Sequence, residues 1–60
     1  MNVLEVVKDI EDRARNTGEL SRKDFAWMIG IIRSMKYYLN LEDEKILERA
    51  KNEEQNYAND

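Results

Sequence analysis

The feature that most restricts the fold of this chain is the absence of cysteine and histidine from its 60 residues. Chains this short bury little apolar surface, and many depend on disulfides, a structural metal ion or oligomerisation. Without cysteine no disulfide forms, and without cysteine and histidine a structural zinc site lacks its usual ligands. The sequence predicts a single helical domain over 1–60 that assembles as a homodimer or higher oligomer, with a well-packed monomeric three-helix domain as the alternative.

The same missing residue types weaken the case for an enzyme. A Ser-His or Cys-His pair cannot form, and histidine is the side chain whose ordinary pKa lies nearest neutrality. The two glycines, Gly18 and Gly30, stand alone in the sequence and provide no Gly-rich phosphate loop. We therefore expect no catalytic residues and no cofactor.

Apolar residues recur at helical spacing near the N-terminus and predict an amphipathic helix over 2–16. Gly18 follows its last turn and is suited to the left-handed conformation that ends helices. Acidic residues lie on the face opposite the apolar one. The predicted buried stripe contains Val3, Val7, Ile10 and Ala14, and is widened by Leu4 and Val6.

A second helix is predicted over 22–39. Ser21, three residues before Asp24, has the spacing of a capping box. Eleven of the fifteen residues from Phe25 to Leu39 are apolar or aromatic, so this helix should dominate the core. We expect it to form a helical hairpin with the first helix. Its predicted core stripe is Phe25, Met28, Ile29, Ile32, Met35 and Leu39.

A third helix is predicted over 41–54, with Asn40 as its cap and acidic residues in its first turn. No glycine or proline separates it from the second helix, so one continuous helix from Arg22 to about Glu54 is an alternative. The last residues, Gln55 to Asp60, lack periodicity and are expected to fray. The fold class is thus all-α, a small helical hairpin plus a third helix.

A second apolar stripe on the second helix is the first candidate for function. Trp27, Ile31, Ser34 and Tyr38 share a face at 100° per residue, and Trp and Tyr are enriched at interface hot spots. We interpret this face as an oligomer or partner interface; the alternative is that the third helix covers it. Gly30 and Ser34 have a small-x-x-x-small spacing that would let a helix approach closely.

Charge is segregated along the chain, and this is the second candidate. Residues 1–12 have net charge −3, residues 13–36 net +4 and residues 40–60 net −4. Helix N-terminal amides and cations suit an anion, so a small anionic ligand such as a nucleotide is the alternative function. The competing interpretation is that these bases pair with the chain's own acids, as Arg15 could with Glu11 and Arg13 with Asp9. The candidate anion-binding residues are Arg13, Arg15, Ser21, Arg22 and Lys23.

Other functional classes receive less support from the sequence. Net charge −3 and the lack of a basic run argue against nucleic-acid binding. Glu5, Asp9 and Asp12 share a polar helix face, which we interpret as solvated and not as a metal site. The longest uncharged stretch is too short to span a bilayer, and the start lacks the basic region of a signal peptide, so we expect a cytoplasmic protein.

These observations favour a binding protein over an enzyme. The leading hypothesis is a small protein-binding regulator that docks through a helix face as a homo-oligomer. By analogy with compact chains of this size, it could be a phage or bacterial inhibitor of a larger host or defence protein. The expected partners are a second copy of the chain and another protein.

Overall fold

A computed structural model describes residues 2–37 and 41–58 of the chain, with side chains up to residue 56. Three helices make up the fold: α1 (Val3–Thr17), α2 (Arg22–Tyr37) and α3 (Asp43–Ala58). The all-α prediction is confirmed. The single continuous helix from Arg22 is wrong, because α2 and α3 are separate elements. Helix α3 continues four residues beyond the predicted end at 54, and the predicted cap Asn40 lies outside the described residues.

Polar side chains and one glycine define the helix ends. Asn2 caps α1 by accepting the Glu5 backbone N–H at 2.8 Å, and the Glu5 carboxylate completes a capping box that the sequence analysis did not identify. Gly18 ends α1 in the left-handed conformation, with φ 77° and ψ 6°, as predicted. The predicted Ser21 cap is also confirmed, since its Oγ accepts the Asp24 backbone N–H at 3.1 Å.

The closest helix pair is α2 with α3, and small residues make this approach possible. A Cβ added to Gly30 would lie 2.4 Å from the Cα of Ala50, so the two backbones are in direct contact. Ala26 and Ser34, one turn before and after Gly30, are also fully buried. The small-residue spacing thus admits a neighbouring helix as predicted, and that helix is α3.

Helix α1 packs on the α2–α3 pair through one apolar stripe and two polar contacts. The core consists of Val3, Val6, Ile10, Ile31, Ile46 and Ala50. At the start of α1, the Val3 backbone N–H donates to Asp43 Oδ2 of α3 at 3.1 Å. Near its end, the Arg13 guanidinium binds the Asp24 carboxylate of α2. Both ends of α1 are therefore anchored, each to a different helix.

The predicted core stripe of α2 is not the buried face. Phe25, Ile32 and Met35 are 44%, 53% and 51% exposed, and Met28 and Ile29 are half-buried. Leu39 lies outside the described residues. The buried positions of α2 are instead Asp24, Ala26, Gly30, Ile31 and Ser34. The physical reason is the Gly30–Ala50 contact: helices that approach this closely need small side chains between them, and the large side chains are displaced outwards.

Candidate interaction surface

The interface predicted on the second stripe of α2 is largely inside the chain. Ile31 and Ser34 are 2% and 1% exposed, covered by the other helices. Trp27 is half-buried, and its Nε1–H donates to Glu54 Oε2 of α3. Tyr38 lies outside the described residues. For Trp27, Ile31 and Ser34 the assignment to a free surface is wrong, and the alternative, in which the third helix covers this face, is correct.

The apolar surface that remains open on α2 is a ridge formed by Phe25, Ile29, Ile32 and Met35. These residues follow one another at helical spacing and so line one face of the helix. Ile32 and Met35, each about half exposed, form its outermost part. A helix in contact with one layer needs only one apolar stripe, and α2 already buries one. This ridge is thus a second apolar stripe facing solvent.

An apolar groove borders the ridge. It lies between α1 and α2, has a volume of about 260 Å³, and Glu11 is its only charged lining residue within the described chain. Met28, which contributes to the groove, lies one helical turn before Ile32, which belongs to the ridge. One face of the chain therefore carries a projecting and a recessed apolar element side by side. The apolar groove is lined by Val7, Ile10, Ala14, Leu20 and Met28.

Two of the predicted anion-binding cations are paired with the chain's own acids. Arg13 donates to both carboxylate oxygens of Asp24, from Nε at 3.1 Å and from Nη2 at 2.9 Å. Arg15 pairs with Glu11 at 2.9 Å, as the i,i+4 spacing predicted. The predicted partner of Arg13, Asp9, is replaced by Asp24, since the latter accepts both donors of the guanidinium. The alternative interpretation of the basic cluster is correct for these two residues.

Asp24 dominates the electrostatics of this region. Its side chain is only 10% exposed. The hydrogen bonds from Arg13 lower the pKa of Asp24 below its ordinary value of 3.8, against the opposing effect of desolvation, and Ser21 and Lys23 lower it further. The same contact raises the pKa of Arg13. The ion pair is therefore a structural link between α1 and α2.

The remaining members of the cluster surround this link. Ser21 caps α2, Lys23 is exposed, and Arg22 occupies the first turn of α2. A shallow hollow of about 480 Å³ lies here, lined by Arg13, Thr17, Glu19, Ser21, Lys23 and Asp24. Because the hollow contains two carboxylates, an incoming anion would compete with Asp24 for Arg13. Anion binding here stays a prediction.

Ser34 has an unusual environment. Its Oγ is buried and has no hydrogen-bond partner within the described part of the chain. It borders a cleft of about 300 Å³ between α2 and α3, where Arg33 and Glu53 form an ion pair at 3.0 Å. Because Oγ exposes almost no surface, a molecule in the cleft would not reach it. We therefore interpret this hydroxyl as a packing compromise next to Gly30.

Across residues 2–37 and 41–58, no three acidic side chains come close enough together to hold a metal ion. Of the three helices described, none combines the length and apolarity that crossing a membrane requires. Comparisons with protein-family models, curated proteins and solved structures give no match to this chain.

Proposed function

We propose that the chain is a small protein-binding regulator that acts by helix-face docking, and that the apolar ridge of α2 associates with a second copy of the chain. The observation that carries this proposal is the exposure of Ile32 and Met35, both above half, on a continuous apolar face. Contiguous apolar patches on small soluble proteins are often interaction sites. In this proposal the ridge is the association surface, in place of the face that contains Trp27 and Ile31.

The surface area of the chain supports an oligomer. A compact monomer of 7.2 kDa is expected to expose roughly 4,100 Å². This chain exposes 4761 Å², which is about 660 Å² more than that scaling gives. Stable interfaces bury about 800 Å² on each partner. The chain thus exposes more surface than a compact monomer of its mass.

The composition supports association over catalysis. A chain without histidine and cysteine has few side chains suited to proton transfer or nucleophilic attack near neutral pH. Its aromatic and aliphatic residues are concentrated on α2, where they exceed what one buried stripe requires. A regulator needs only a specific surface, and docking on a larger protein is the role proposed for the assembled form.

The test is the mass of the purified chain across micromolar concentrations, by light scattering or sedimentation. The expected mass is twice 7.2 kDa or more. Ile32→Glu, which places a charge on the ridge, should return a monomer that keeps its helical circular dichroism, because Ile32 is half exposed. Ile32→Ser is the milder second variant, and Lys51→Glu on exposed α3 surface is the control. A wild-type mass near 7.2 kDa throughout would overturn the proposal.

A further inference from the structure

We draw no further inference here: the strongest candidate, the apolar ridge of α2 together with the apolar groove between α1 and α2 beside it, carries none, because nothing in the described part of the chain shows what covers them.

Discussion

Gly30 and Ala50 bring the backbones of α2 and α3 into contact: a Cβ on Gly30 would lie 2.4 Å from the Cα of Ala50 and 2.9 Å from its backbone nitrogen. Both atoms belong to the backbone of α3, so no side-chain rotation can relieve the contact. The position of α3 on α2 therefore depends on the missing side chain of Gly30.

Gly30→Ala should destabilise the chain although alanine is the better helix former. The helix propensity gain is about 1 kcal/mol, whereas overpacking a close contact costs roughly 1–3 kcal/mol. At 2.4 Å we expect overpacking to dominate, with a net loss of about 1–2 kcal/mol in denaturant unfolding. Ala50→Gly added to Gly30→Ala should not rescue stability, because the clash is with backbone atoms; rescue would show that α3 is positioned differently.

Ser34→Ala should stabilise the chain. The hydroxyl is buried without a partner, and an unsatisfied buried polar group costs about 1–3 kcal/mol. We expect a gain of about 1 kcal/mol in the free energy of unfolding. Ser21→Ala is the matched control with the opposite sign: it removes an N-cap and should cost about 1 kcal/mol. Loss of stability in Ser34→Ala would mean that the hydroxyl has a hydrogen-bond partner in solution.

Asp24→Asn should change the pH dependence of stability. Because the pKa of Asp24 is lower in the folded chain than its ordinary 3.8, the Arg13 ion pair stabilises fully above that ordinary value and is lost as pH falls through the folded-state pKa. Wild type should therefore exceed Asp24→Asn in melting temperature at about pH 6, and the difference should shrink below about pH 4. Asp12→Asn, at an exposed position, is the control. A difference independent of pH would contradict the ion pair.

Glu54→Ala should weaken the contact between α3 and Trp27 of α2. It removes the acceptor of the indole N–H, and we expect a loss of about 1 kcal/mol together with a change in tryptophan fluorescence. Glu54→Gln keeps an acceptor oxygen at the same place and should lose less. Because Trp27 is the only tryptophan, its emission reports this contact without interference. Equal losses in the two variants would indicate that the hydrogen bond contributes little.

The helices themselves were predictable from local signals. The stop at Gly18 and the cap at Ser21 depend only on neighbouring residues, and both ends match the structure. The buried face of α2 was not predictable in the same way, because α2 carries two apolar stripes. The predicted core stripe contained the large side chains Phe25, Ile32 and Met35, although contact with α3 requires the small residues around Gly30.

In the candidate site, too, contacts within one helix were predictable from the sequence and contacts between helices were not. The pairing of Arg15 with Glu11 follows from i,i+4 spacing and was predicted. The partner of Arg13 was not, since Asp24 is on another helix and the orientation of α1 decides the contact. A signal was present, however: Ala26, Gly30 and Ser34 repeat at intervals of four, which indicates a close helix neighbour. If these three small residues are assigned to the core, the apolar ridge of α2 becomes the predicted interface.

The two-ended anchoring of α1 has a consequence for how the chain opens. Beyond its stripe of Val3, Val6 and Ile10, α1 is tied to the rest by the Val3 contact with Asp43 and the Arg13 contact with Asp24. Helices α2 and α3, in backbone contact, form a tighter unit. Amide protons of α1 should therefore exchange with deuterium before those of α2 and α3. At low pH Asp24 takes up a proton and the ion pair with Arg13 is lost, so the difference in exchange rate between α1 and the other two helices should increase. The chain would then pass through a two-helix form in which the groove has lost its α1 wall.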